Sequence, residues 1–598
     1  MRDQPRSGAV RQFAGLVGAA APGVAAAYVA VTVAEAVVPV LLAWLTKLLL
    51  DRLAGTGPIT AYVVGLAALG VIAASLPRIS LFLSNEASRR LSAVATERLF
   101  AATGRLVGLR RFEDPAYLDR LRVARRGCDN AGQLLDGVLG LGRGVLLLAG
   151  FIGSLLVLSP AMTVVLVCAA VPMLVAELYL ARRRAAAQIG VEPNHRREYF
   201  YSQLLTGTQA AKEIRLFGTG GFLRTLMMRE RSTADTAIRR MERREVGGHT
   251  GLAALTAVVA GAGLIWAALA ARRGELSLGD VSIFLAAIAS TQSGLAMVVA
   301  TTANLHAQGM FFAAYAEILR TPPDLPVPPV PVPVPSLRQG IRLRDVWFRY
   351  DESHPWVLRG VDLLLPAGST VALVGLNGSG KSTLVKLLCR LYDPSQGTIG
   401  WDGVDLRDAD PAQLRTRIGA VFQDFMTYDV SAADNIALGD LTARDDPGRV
   451  EAAAAGAGVH SVLRELPRGY QTMLTRAFFD GDDEAGTVLS GGQWQRVAVA
   501  RGLLREGCDL MILDEPSSGL DPQAEHELHR SLRTARLGRT NLLISHRLSA
   551  VRDADLIYVL RDGRVAETGD HSSLLALDGE YARLFRLQAA GYAQEVGS

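Results

Sequence analysis

Residues Gly375 to Ser382 read Gly-Leu-Asn-Gly-Ser-Gly-Lys-Ser, the spacing of a glycine-rich phosphate loop that ends in lysine and a hydroxyl residue. Gly375, Asn377, Gly378, Ser379 and Gly380 let backbone N–H groups close around phosphate oxygens. Lys381 supplies a point charge, the Ser382 hydroxyl can hold Mg²⁺, and Thr383 follows directly. Among 63 basic residues only Lys47, Lys212, Lys381 and Lys386 are lysines. A chain that otherwise uses arginine has placed a lysine where a compact ammonium, not a planar fork, fits beside phosphates. A second constellation ends the run Cys508-Asp509-Leu510-Met511-Ile512-Leu513-Asp514-Glu515. Asp514 can hold Mg²⁺, and Glu515 can take a proton from water. Ser490, Gly491, Gly492 and Gln493 open an apolar helix-like stretch, where small residues leave N–H groups accessible to an anion.

These residues need particular elements to place them. Apolar Thr370–Val374 precedes the loop and helix-like Ser382–Leu391 follows it, the strand–loop–helix context that the motif requires. Leu510–Leu513 is apolar on both faces, as in a buried parallel strand. Such sheets present ligands at the carboxyl ends of their strands.

At 598 residues with 49% hydrophobic content and positive mean hydropathy, the chain exceeds one domain and is too apolar for an ordinary soluble protein. Six segments have the length of membrane spans: Pro22–Leu50, Ile59–Leu83, Leu134–Leu158, Ala161–Ala181, Leu252–Ala271 and Leu278–Leu305. The apolar stretch Phe13–Leu50 is too long for a signal peptide and reads as the first spanning helix. Asn85–Ala131 carries ten Arg and Arg182–Gly251 fourteen Lys or Arg, whereas the loops on the other side are short and carry few. That asymmetry places both termini in the cytoplasm and accounts for the net charge of +5 without nucleic acid. The basic stretches continue the membrane helices as long cytoplasmic extensions, broken at Phe112–Pro115 and Thr206–Thr208, where short transverse helices are expected. Four scattered cysteines imply neither a metal site nor a disulfide framework. Thr321–Pro335, with eight prolines, reads as a semi-rigid spacer between the halves.

Leu489-Ser490-Gly491-Gly492-Gln493, behind the phosphate loop and ahead of the Asp-Glu pair, resembles the signature of the ATP-binding cassette family. The whole chain resembles a bacterial ABC exporter half-transporter. The resemblance implies a multidomain membrane protein: an all-α six-helix transmembrane domain over 1–320, a proline-rich linker over 321–336 and an α/β P-loop ATPase domain over 337–598. It implies Tyr350 stacking on adenine, Gln423 at the metal and the attacking water, Asp521 in the Ser-Gly-Leu-Asp loop, and His546 in the catalytic centre. Residues 477–486 lack the Gly-Glu-Arg-Gly type sequence common in multidrug exporters, and Gly519 replaces the more usual Ala.

The family's mechanism implies ATP and Mg²⁺ held between two chains, the signature of one closing over nucleotide on the other. A homodimer suffices because no motif is degenerate, and a related partner chain is the alternative. The expected activity is ATP-driven export of an amphipathic substrate from the cytoplasm, a modified peptide first and a lipid or drug-like molecule second. The expected location is the bacterial cytoplasmic membrane, with the ATPase domain cytoplasmic. The short stretch before the first span leaves no fused leader peptidase, so a peptide would be processed elsewhere. The rival class is an ATP-gated channel or nucleotide-switched sensor. Glu35, Arg78, Arg143, Glu177 and Gln292 are the polar candidates within the spans.

Overall fold

The computed structural model describes the chain except residues 1–3, 56, 161–162, 165–174, 176–178, 180–189, 192, 477–485, 518–522, 524, 526, 529, 533–537, 546–550 and 596–598. It divides into two compact units, Met1–Gly104 with Ala116–Thr321, and Arg105–Pro115 with Pro322–Ser598.

The first unit is helical. Its elements are α1 (Gln4–Ala20), α2 (Pro22–Leu53), α3 (Thr60–Gly104), α4 (Pro115–Asp129), α5 (Ala131–Leu158), α6 (Thr208–Leu216), α7 (Gly220–Arg272) and α8 (Leu278–Leu319). Among the described residues α2, α3, α5 and α8 are long and apolar enough to cross a bilayer. The expected fifth span lies in α7, whose described apolar stretch is Gly261–Arg272, and most of Ala161–Ala181 lies outside the described residues. The single helix expected from Phe13 to Leu50 is instead two. Pro22 has no N–H to continue α1 and suits the first position of a new helix. The 45 residues of α3 extend roughly 68 Å. That is about twice the ~30 Å hydrocarbon core, so the helix continues beyond it as expected.

Small residues bring these helices close. A Cβ on Gly144 of α5 would lie 2.8 Å from a Val298 methyl of α8, so only glycine permits that approach. Several polar groups in the spans are paired. Arg143 donates to Glu35 at 2.6 Å, with the Ser80 hydroxyl on the same carboxylate at 3.4 Å. Ser84 donates to Asp136 at 2.8 Å, and Lys47 bridges Asp51 at 2.9 Å and Asp280 at 2.7 Å. Arg78 lies exposed on α3 and Gln292 is half-buried on α8, while Glu177 lies outside the described residues.

The second unit is α/β. A four-stranded antiparallel sheet has the order β2 (Leu358–Pro366), β1 (Gly340–Phe348), β4 (Gln396–Trp401) and β5 (Val404–Asp405). A six-stranded sheet has the order β10 (Arg564–Gly569), β9 (Leu556–Arg561), β3 (Thr370–Val374), β8 (Thr540–Ile544), β7 (Leu510–Asp514) and β6 (Ile418–Val421). All its neighbours are parallel except the edge pair β10–β9. Every residue of β7 and β8 is buried, as the apolar stretches Leu510–Leu513 and Leu542–Ile544 require. Two helices matter for the site: α9 (Lys381–Leu388) after β3, and α10 (Gly491–Leu503).

One expectation about connections is corrected here, at Phe112–Pro115. The proline run is bonded to the second unit at two points: the Trp401 indole donates to the Pro335 carbonyl at 2.9 Å, and Arg390 donates to that of Pro326 at 2.8 Å. Arg390 itself is wholly buried, and its guanidinium also meets the carbonyls of Arg407 and Ala409. At Phe112–Pro115 no transverse helix forms. Residues 105–114 make turns, because Asp324 accepts from the N–H groups of Val107 and Gly108 at 3.0 and 2.9 Å, and Leu109 donates to Leu391 at 3.0 Å. The second break does carry a short helix, α6.

Candidate nucleotide-binding site

Strand β3 delivers the chain into the phosphate loop, and α9 leaves it with Lys381 as its first residue. Gly375 has φ +155°, and a Cβ there would lie 2.3 Å from the Leu560 carbonyl oxygen of β9. Gly380, at φ +106°, would drive a Cβ to 2.6 Å from a Leu358 methyl. The loop's shape therefore depends on glycine at both ends. Lys381 is buried and curls back, donating to the carbonyls of Gly375 at 2.8 Å and Leu376 at 2.9 Å. Burial pushes its ammonium below the ordinary lysine range, partly offset by the charges of Glu515 and Asp514. Asn377, Gly378 and Ser382 are exposed around the loop. The Ser379 hydroxyl is buried with no hydrogen-bond partner, an orphaned polar atom in the loop that a phosphate oxygen would satisfy.

The acids sit at the carboxyl end of β7, one strand removed from β3 across β8. Asp514 is 5% exposed. Burial, then the neighbouring Glu515 carboxylate and Asp424, push it up to about 6, with Lys381 acting the other way. Glu515 adopts φ +52°, a left-handed conformation that costs a non-glycine residue about 1–3 kcal/mol. Its N–H donates to Ile544 of β8 at 2.9 Å, and its carbonyl accepts from Gln495 of α10 at 3.1 Å. The backbone is thus fixed from two sides at the point where the chain leaves the sheet. An ionised Asp514 with Ser382 is a hard-oxygen donor set appropriate to Mg²⁺.

Ser490 caps α10. Its hydroxyl accepts from the Gln493 N–H at 3.3 Å, while the Gln493 side chain accepts from the Ser490 N–H at 2.9 Å. Ser490 and Gly491 remain exposed, so this helix start faces outward from its own chain. Tyr350 follows β1 and is half-buried; its hydroxyl shares a hydrogen bond of 3.0 Å with Thr383 on the first turn of α9. Gln423 follows β6 and is exposed. Asp521, Gly519, His546 and most of 477–486 lie outside the described residues. The fold thus gathers Lys381, Ser382, Asp514 and Glu515 at one edge of one sheet.

Three residues around Tyr350 were not anticipated from sequence. Lys386, in the last turn of α9, bonds Glu113 at 2.7 Å, and the Tyr392 hydroxyl donates to the other oxygen of that carboxylate. Only the scarcity of lysine pointed toward Lys386.

Residues 358–518 match the ABC transporter family. The chain is 40% identical over 316 residues to an ATP-dependent lipid A-core flippase of Alkalilimnicola ehrlichii, which is 53% of this chain and 52% of that protein. It is 41% identical over 321 residues to a mitochondrial potassium channel ATP-binding subunit of Xenopus tropicalis, covering 52% and 44%. The chain thus spans about half the length of the curated relatives it matches. A solved bacterial Atm1-family ABC exporter with ATP bound superposes with a TM-score of 0.76 at 25% identity, over 93% of this chain and 98% of that one. Residues 358–518 thus carry an ABC transporter domain, and the chain as a whole is similar in fold to a bacterial ABC exporter.

Proposed function

We propose that the protein is a dimeric, Mg²⁺-dependent ATPase that exports an amphipathic substrate across the bacterial cytoplasmic membrane by alternating access. The observation that carries the hydrolytic part is Glu515. A carboxylate fixed in strained backbone, beside a buried Asp514 and within the field of Lys381, is placed for chemistry rather than for surface solvation.

In this reading the phosphate loop and Lys381 hold the phosphates, and Tyr350 receives the adenine. Ser382, Gln423 and Asp514 would hold Mg²⁺, which would supply positive charge against the phosphate oxygens. Glu515 accepts a proton from the attacking water, with Gln423 and His546 orienting water and phosphate as the family pattern implies. Ser490 to Gln493 and Asp521 complete the site of the partner chain. Two exposures support a partner: the outward start of α10, and the tip after α6, where Leu216 and Phe217 are 77% and 67% exposed. A homodimer is sufficient for this arrangement.

The substrate reading rests on the spans. Glu35 and Arg143 form an ion pair inside apolar helices, a costly arrangement that suits a substrate with polar and apolar parts. A lipid fits the name of the flippase relative, and a modified peptide fits the same chemistry. Glu35→Gln is expected to change substrate-stimulated ATPase while basal turnover stays near wild type. Equal loss of both would assign the pair to packing.

The potassium-channel relative favours a second reading, in which nucleotide acts as a switch without net pumping. Inside-out vesicles supplied externally with MgATP or a non-hydrolysable analogue separate the two. A pump accumulates a labelled short-chain lipid or amphipathic peptide only with MgATP, whereas a switched channel passes solute equally with the analogue.

A further inference from the structure

Lys386 occupies an unusual position for so rare a residue. Its ammonium lies 5.2 Å from the ring centroid of Tyr350 and 5.9 Å from that of Tyr392, and bonds Glu113 at 2.7 Å. The two tyrosine rings meet edge-on at 5.4 Å, and Phe348 packs against both at 5.0 and 5.4 Å. Tyr350 is thus held on one side by aromatic edges, at its hydroxyl by Thr383, and by a cation over its ring. An ammonium within about 6 Å of a ring centroid attracts the ring's negative face, by roughly 0.5–2 kcal/mol.

The ammonium in turn is fixed by Glu113. That carboxylate accepts from Lys386 on one oxygen and from the Tyr392 hydroxyl on the other. Burial works against its charge, but these two bonds outweigh burial and hold the carboxyl below its usual range. Glu113 belongs to 105–115, the turn segment that sits in the second unit although the first unit's helices enter and leave it. The segment does not depend on Glu113 to stay there. The Val107, Gly108 and Leu109 N–H groups are bonded to Asp324 and Leu391, and the Val107 carbonyl accepts from Arg415 at 2.7 Å.

We propose that Lys386 is a positioning residue for Tyr350, fixed in turn by Glu113, so that a carboxylate on the segment between α3 and α4 sets how firmly the site grips a nucleotide's base. The chain of contact runs Glu113, Lys386, Tyr350, base. It acts on the base and not on the phosphates, because Lys386 bonds away from the loop that Lys381 serves. This inference rests on the nucleotide-site reading and adds a residue-level path from that segment to the base.

The test uses the full chain in lipid nanodiscs, with MgATP and Mg-tripolyphosphate as separate probes of base plus phosphates and of phosphates alone. Lys386→Met, which keeps the aliphatic stem, and Glu113→Gln are each expected to weaken MgATP binding about three- to tenfold. Tripolyphosphate binding should stay within about twofold of wild type, the usual spread for a contact that is not involved. Lys386→Arg, which keeps a cation able to reach Glu113, should restore MgATP binding, and the double variant should be no weaker than the worse single one. Equal weakening of both probes, or an unchanged ratio of the two affinities, overturns the proposal and leaves Lys386 as a tether. Failure of the underlying reading is separate: Lys381→Ala would then leave both probes bound as in wild type.

Discussion

A lysine whose ammonium already rests on two loop carbonyls needs only a short swing to meet a phosphate. Lys381→Ala removes that charge and is expected to weaken MgATP binding about 10- to 100-fold, as loss of a charge-assisted bond does. Glu515→Gln keeps shape and removes the proposed base, so binding should persist while hydrolysis falls about 10²- to 10⁴-fold. Radiolabelled ATP binding and phosphate release distinguish these outcomes, and wild-type turnover in Glu515→Gln would remove it from the base role. Asp514 adds a pH dependence. Its carboxyl is raised to about 6 by burial and by Glu515, so the ionised form proposed to bind Mg²⁺ predominates above that pH and is lost below it. Apparent Mg²⁺ affinity in the nucleotide-free protein should be about tenfold weaker at pH 5 than at pH 7. Asp514→Asn should flatten that profile.

The phosphate loop depends on its glycines unequally. Gly375 faces the Leu560 carbonyl at 2.3 Å from a would-be Cβ, whereas Gly378 has φ +79° but open space around it. Gly375→Ala should therefore unseat the loop and abolish MgATP binding. Gly378→Ala should cost only the backbone term, about 1–2 kcal/mol, and keep measurable binding. Equal effects in calorimetry would mean that the loop relaxes freely around β9. The glycines, the lysine and the acids could be found from sequence because their spacing is local: one turn after one strand, or the last residues of another. Glu113, Lys386 and Tyr392 had no such signal. Lys386 and Glu113 are 273 residues apart, and neither stands in a periodic pattern. Hydropathy runs straight through Pro22 from Phe13 to Leu50, and only proline's missing N–H marks the helix start there. The turns at 105–114 depended on Asp324 and Leu391, more than 200 residues later, which no local helix propensity reports.

In the proposed dimer, each chain brings one phosphate loop and one outward-facing signature helix, so each site would be completed by the other copy. Each site would need Lys381 from one chain and Ser490 from the other. The direct measurement is MgATPase activity of heterodimers purified with two tags, one chain carrying Lys381→Ala and the other Ser490→Arg. One composite site then keeps both wild-type residues, and the other loses both. Either variant alone should be inactive, while the heterodimer should recover up to about half of wild-type turnover, as one intact site of two allows. A confirmed heterodimer with no activity beyond that of the single variants would contradict sites shared between independent halves.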